Sequence, residues 1–256
     1  MGRLDRQEWQ IKLLRWSAWA PGLEARQAWC DWLSGGSSQP KNGPNKGPDA
    51  ENVPSRLRRR CSTVGRMALE TSLRICKEAG IEGSDVHLVY CSRNGELITL
   101  KLLFDSLFEK EPLSPTRFSN SVHHTPTGYF SLITKNRRIS RTISGGDSSF
   151  ACGILEALSL LHKYPGRPVL LVYSDEYLPE PFDQLLDKPE FPFAVAMLLA
   201  NSGEGEAFRI HFDRETDGLM EEGTGEDAVF PFLGWLVRDL PSHRLKASFG
   251  GMTWTR

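Results

Sequence analysis

The sequence predicts an α/β fold, a layered sheet with helices on both faces, and three observations lead there. Helical and strand-like patterns alternate along the 256 residues. The strand-like runs are short and apolar throughout, as in residues 167–173 (RPVLLVY), which is how strands covered on both faces read. Residues 139–162 read as a strand, a Gly turn and a buried helix, the junction around which such sheets are built.

Taken in order, residues 9–33 carry five of the seven tryptophans (Trp9, Trp16, Trp19, Trp29 and Trp32), with a helix expected around 24–33. Such aromatics either cover a core, with their indole N–H groups tied to backbone, or form a stacking platform. Residues 34–54 are rich in Gly, Pro, Ser and Asn and are expected to form a mobile surface loop. After an arginine run, Val64, Ala68, Thr71, Ile75 and Ala79 mark a helix face that stops at Gly80. Residues 85–91 (DVHLVYC) form a short central strand, and Arg93-Asn94-Gly95 turns the chain into a helix. In that helix Leu97, Leu100 and Phe104 share one face. Pro112 and Pro115 interrupt the chain, and residues 118–134 predict a helix containing His123 and His124.

Ile139, Arg141 and Ile143 precede Gly145-Gly146, which supplies a tight turn that bulkier residues would strain. Asp147, Ser148 and Ser149 then offer three capping side chains before Phe150, Ile154, Leu155, Leu158 and Leu161 recur at helical spacing. Strands follow at 167–173, 193–199 and 207–212. Residues 213–227 are acidic and loop-like, and 229–240 form a last helix broken early by Pro231.

Composition excludes several classes. With 39% apolar and 25% charged residues the chain is an ordinary globular protein, long enough for one large domain spanning 1–256. A net charge of −1 supplies no field favouring nucleic acid or an anionic membrane. Five cysteines without a C-x-x-C pair argue for reduced thiols in the cytoplasm and against a disulfide framework or a zinc ribbon. No secretory signal is visible at MGRLDRQEW, and the longest apolar run, 191–200, is about half of a membrane span. No P-loop or dinucleotide fingerprint is present, and no metal or cofactor is expected.

The candidate chemistry centres on Asp147, at the head of the helix. As a helix cap it would need no chemistry. As a nucleophile it would need a positioned histidine and an oxyanion hole, and GGDSS lacks the second Gly of the hydrolase elbow. As a third reading it replaces a former nucleophile. A stand-alone acyl hydrolase or transferase would use Asp147 or Ser148 with His123 or His124 as base. The two histidines, adjacent on a helix, point about 100° apart, so one packed and one exposed is the plainer expectation. Arg56, Arg58, Arg59 and Arg60 are either a solvated stretch or a docking patch for an acidic partner.

The run 121–158 (SVHHTPTGYFSLITKNRRISRTISGGDSSFACGILEAL) resembles the β-ketoacyl synthase N-terminal half of the thiolase fold. There an N-x-x-x-G helix start, a strand and a small-residue turn lead to a nucleophile Cys at the head of a buried helix. His124 to Gly128 stands in the N-x-x-x-G place, with His for Asn, and Asp147 stands in the nucleophile place. The Trp-rich opening, the arginine block and the DVHLVYCSRNGEL segment fit upstream, and PVLLVYSDEY and FPFAVAMLLANSGEG fit downstream. Within that superfamily the chain is most similar to short ketosynthase-like chain length factors such as those of aryl polyene pathways.

The resemblance implies a thiolase-like half-fold with a mixed sheet. Decarboxylative condensation needs a Cys thiolate and two basic residues from the C-terminal half, and an aspartate would be a weak nucleophile and repel a malonyl carboxylate. The implied role is therefore a non-catalytic subunit that pairs with an active β-ketoacyl synthase and shapes its acyl tunnel in polyketide or fatty-acid type synthesis. Arg138, Ile139, Arg141 and Ile143 would then lie on the strand that pairs with the partner. Leu97, Leu100, Phe104 and Phe118 would border the partner's tunnel, and the arginine run would help dock an acyl carrier protein.

Overall fold

The structure, a computed structural model, describes residues 8–41, 47–185, 191–213 and 228–256. The chain opens on a twelve-residue strand, β1 (Glu8–Trp19), followed by α1 (Arg26–Leu33). A single turn, α2 (Ser55–Arg58), leads to α3 (Thr63–Ala79). Ser62 caps α3 by accepting from Gly65 N–H at 3.1 Å, and Gly80 ends it at φ +63°, where a side chain would be strained. Next come β2 (His87–Cys91), α4 (Leu97–Phe108), α5 (Pro115–Asn120) and α6 (Thr125–Thr134). The elbow joins β3 (Ser140–Ile143) to α7 (Ser149–Lys163). After it come β4 (Val169–Asp175), β5 (Phe193–Ala200), β6 (Glu206–Asp213), α8 (Val229–Val237), β7 (Ser242–Ala247) and β8 (Gly250–Thr255).

The eight strands among the described residues form one mixed sheet in the order β3-β2-β4-β5-β1-β6-β8-β7. β3, β2 and β4 are parallel, and the other pairings are antiparallel. Every residue of β2, β4 and β5 is buried, so these strands feed two cores at once. Val89, Cys91, Leu171, Tyr173, Val195 and Met197 face the core built with α7 and α8. Leu88, Tyr90, Leu170, Val172, Ala196 and Leu198 face the core built with α3 and α6. This is the period-two alternation of a strand covered on both sides.

Several expectations need correction. β1 escapes the sequence pattern because a bulge lies between Leu13 and Arg15. Ile11 and Leu13 before it, and Trp16 and Ala18 after it, all reach the same core, so the extra residue reverses the alternation halfway along. The loop at 34–54 is not uniformly peripheral: Ala50 and Val53 are buried against α3, which anchors that end. Residues 42–46 of that loop and 214–227 of the acidic stretch lie outside the described residues. The expected single helix over 118–134 is two, with the histidine pair in the turn between α5 and α6. Pro231 sits in the first turn of α8, where its missing N–H costs nothing, and the helix runs on to Val237. The bland reading of the tryptophans holds for Trp29, which is fully buried and donates its indole N–H to Leu23 O at 2.6 Å.

α7 lies close on β2 because Gly153 lets it: a Cβ there would stand 2.6 Å from Cys91 Sγ. Gly153→Ala should therefore lower the unfolding free energy by about 1–3 kcal/mol through overpacking, although alanine favours helix. In a urea double-mutant cycle, Cys91→Ala should couple favourably with it by more than about 0.5 kcal/mol. Simple additivity would reject this contact as the cause.

Candidate functional site at the elbow and the sheet edge

The elbow is built from its two glycines. Gly146 has φ +56°, and a Cβ on Gly145 would meet Cys152 Sγ at 2.8 Å. Ser149 locks the turn, accepting from Gly145 N–H at 3.0 Å and donating to Gly146 O at 2.7 Å. The residue preceding the helix is Ser148, not Asp147. Ser148 Oγ is turned away from the helix: it accepts from Ser248 N–H at 2.9 Å, in the turn between β7 and β8. Asp147 is one residue further out, with a side chain 63% exposed and 3.4 Å from Arg93 Nη1. The expectation that Asp147 caps α7 is thus corrected, because Ser149 closes the turn and α7 starts two residues after the aspartate.

The histidines divide as the plainer expectation had it. His123 packs edge-on against Tyr90 at 5.6 Å, and burial holds its pKa below the ordinary value. His124 is exposed, and its Nδ1 lies 2.6 Å from Thr142 Oγ1 on β3. Among the described residues neither histidine is hydrogen-bonded to Asp147 or Ser148, and no group of three or more potential metal ligands comes together.

Among the described residues β3 ends the sheet and pairs with β2 alone, so its outer backbone groups face outward. Ile139 and Ile143 turn inward and pack on the core beside α7. Arg141 stays exposed and reaches Glu156 on α7 at 3.6 Å. Arg138 meets Asp85 at 3.2 Å. Asn136 fixes the approach to β3 by donating to Gly83 O and Val86 O and accepting from Arg138 N–H.

α4 is inverted with respect to an ordinary surface helix. Its buried residues are Thr99, Leu103 and Ser106, two of them polar. Outside stand Phe104 at 54%, Leu107 at 57% and Phe108 at 80% exposure, continued on α5 by Phe118 at 67%. Leu97 and Leu100 are half-buried. Leu113 and Val122 extend the apolar surface on either side of α5. Exposed apolar side chains on two helices in contact are the kind of feature that contact surfaces carry. Leu107 and Phe108 escaped the sequence reading, although LKLLFDSLF, apolar almost all round, is the signal for a helix covered on more than one side.

A second feature hidden in the sequence is a set of buried carboxyls where β2 and β4 end. Asp175 accepts from Ser92 Oγ at 2.6 Å and from Arg93 and Asn94 N–H at 2.8 Å each. Glu176 accepts from Val64 N–H at the head of α3. Glu96, which precedes α4, accepts from Ser62 Oγ at 2.6 Å and Thr99 Oγ1 at 2.8 Å. Burial pushes Glu96 and Glu176 up to about 7 each, and raises Asp175. The Ser-Asp-Glu run directly after an apolar strand is the trace of this cluster in the sequence.

The arginine run divides. Arg58 donates to Asp49 O at 3.1 Å, while Arg56, Arg59 and Arg60 are exposed. Arg58, Arg59 and Arg66 share an open cleft of about 460 Å³ with Asp49 and Glu51, so its walls carry both signs of charge. None of the five cysteines is in a disulfide. No helix among the described residues is long and apolar enough to cross a membrane.

A mixed sheet with helices on both faces, and an elbow that delivers the head of a buried helix, define a thiolase-like half-fold. The chain belongs to the β-ketoacyl synthase N-terminal domain family, whose model matches residues 29–242. Its structure is similar to that of a chain in the complex of the ketosynthase ApeO with its chain length factor ApeC from Xenorhabdus doucetiae. The identity is 26% and the TM-score 0.78, over 97% of this chain and 100% of the other. The fold also recurs in the ishigamide ketosynthase/chain length factor, at 16% identity and TM-score 0.66, over 81% of this chain and 68% of that one. A β-ketoacyl synthase from Burkholderia phymatum matches at 14% identity and TM-score 0.60, over 91% and 71%. No curated protein matches the sequence significantly.

The geometry of the elbow gives a direct contrast. Asp147→Ala should change stability by less than about 0.5 kcal/mol, as for an exposed side chain without a structural role. Ser148→Ala should cost about 1 kcal/mol, because the hairpin N–H loses its acceptor. Urea unfolding of the two variants checks this, and a larger loss for Asp147→Ala would restore the aspartate as the cap.

Proposed function

We propose that this chain is a chain length factor, a non-catalytic ketosynthase-like subunit that pairs with an active, Cys-bearing β-ketoacyl-acyl carrier protein synthase. In that pairing it stabilises the partner and shapes its acyl tunnel, in polyketide, aryl polyene or fatty-acid type synthesis. The observation that carries this reading is the outward apolar face of α4 and α5, a surface that the described residues leave uncovered. The end-to-end match to a chain of the ApeO–ApeC complex supports it, since that chain is of about the same length.

On this reading the backbone of β3 and of Arg138 and Ile139 just before it pairs with a strand of the partner, while Arg141 and Arg138 stand at the margin. Phe104 and Phe118, with Leu97 and Leu100 behind them and Phe108 beside them, meet the partner near its tunnel. The buried area belongs to the obligate class, roughly 2,000 Å² or more. Arg56, Arg59 and Arg60 are free to steer an acidic acyl carrier protein, and Arg58 has a smaller part because Asp49 O holds it. Cysteines outside disulfides fit a reducing, cytoplasmic compartment.

The rival reading, an acyl hydrolase or transferase on Asp147 or Ser148, has no support in the geometry. Ser148 is 3% exposed with its hydroxyl already engaged, and Asp147 faces Arg93 rather than a base.

Co-expression with a ketosynthase encoded beside it should yield a co-purifying complex that makes product, while this chain alone should turn over no acyl thioester. Turnover by the chain alone that Asp147→Asn abolishes would sink the reading. Phe104→Ala should leave the complex intact and shift it to longer products, because a smaller side chain leaves room at the tunnel end. Unchanged product length would remove Phe104 from the tunnel. Phe108→Asp should weaken association by about tenfold or more, as loss of a central aromatic contact does; undiminished affinity would move the interface elsewhere.

A further inference from the structure

α4 presents the apolar face, yet it is held to its own chain by little apolar contact, since Leu103 is its one buried apolar side chain. What seats its first turn is polar and buried. Glu96, 4% exposed, links the head of α4 to the head of α3 through Ser62 and Thr99. Glu176, 9% exposed, holds the head of α3 through Val64 N–H. Asp175, 4% exposed, fixes the loop from which α4 springs. We propose that Glu96, with Glu176 beside it, is a proton-dependent latch for α4, so that this chain offers its partner a fully seated helix when these carboxyls are neutral. The inference rests on the reading of the α4 face as the partner contact.

The surroundings determine the sign. Facing Glu96 and Glu176 are Asp175 from β4, Arg66 and Cys61 from α3 and the residue run before it, Tyr90 from β2 and Tyr129 from α6. Arg93 lies by Asp175, and the His123 ring lies against Gly95. Cys61 and Tyr90 stay neutral, because burial raises the thiol to about 11 and raises the phenol well above its usual value. His123, held below its ordinary value, is neutral at and above neutrality. The set therefore contains three carboxyls facing two guanidinium groups. A carboxyl whose pKa is raised by its seat holds its proton in the seated state longer than in a hydrated, unseated one. The seated state is then favoured at low pH. It loses that advantage as pH rises from the ordinary carboxylate range to about 7, where Glu96 and Glu176 ionise, and changes no further above it. Ionisation sets the charge on Glu96 against those on Glu176 and Asp175, and α4, seated there with one buried apolar side chain, is the helix that gives.

The test has two arms. In the isolated chain, hydrogen-exchange protection factors of α4, relative to those of α7, should fall at least about threefold from about pH 6 to about pH 8.5. Glu96→Gln, neutral throughout, should remove that dependence. If that variant fails to fold, Glu176→Gln should at least halve it. Protection that is independent of pH, or a full dependence kept by the Gln variant, overturns the latch. In the second arm, the affinity for the ketosynthase should weaken by a similar factor over the same range in the wild type and stay level in Glu96→Gln. A complex of pH-independent affinity in the wild type overturns the latch, whereas no complex at any pH overturns the partner reading and leaves the exchange arm to judge the latch.

Discussion

The constraint from which the rest follows is that β2, β4 and β5 are buried on both faces. A strand with no exposed residue cannot lie on a surface, so helices must cover the sheet twice, and α3 with α6 and α7 with α8 do so. The same requirement sets how near those helices come, hence the glycine in α7 opposite Cys91. It also places the elbow. β3 can join only as the outermost strand beside β2, and the helix that follows must cross back over the sheet, which aims its head at the carboxyl ends of β2 and β4.

At that end the molecule departs from self-sufficiency. Helix α4 turns Thr99 and Ser106 inward and its phenylalanines outward, and the last strand keeps one side unpaired. Either feature alone would be unremarkable on a monomer; both are of the kind found where one chain meets another. The elbow has no comparable readiness for chemistry. Its aspartate is solvated, its serine is tied to the hairpin, and its histidines have other occupations.

Much of this was legible in the residues, for physical reasons that differ by element. The central strands were readable because apolar side chains on both faces leave an unbroken run, and α3 because an apolar face at helical spacing stops at a terminal glycine. β1 was not, since the bulge at Leu14 reverses its alternation midway and no single period fits it. The hairpin of β7 and β8 was hidden by its exposed charges, Arg244 and Lys246, which belong to an outer strand. α4 was readable as a helix but not in orientation, because which side of LITLKLLFDSLF is inside depends on Ser62 and its neighbours rather than on the helix itself. Asp147 and Ser148 differ by one position, finer than capping preferences resolve.

β1 lies in the middle of the sheet but near the beginning of the chain, hydrogen-bonded to β5 and β6 some 190 positions later, as in the pairing of Lys12 with Ala200. On a ribosome, at ordinary elongation rates, that leaves both hydrogen-bonding edges of β1 without their partner strands for roughly 10–40 s. A sticky segment waiting that long invites holdase capture, and makes the yield of this protein sensitive to how fast its middle third is translated.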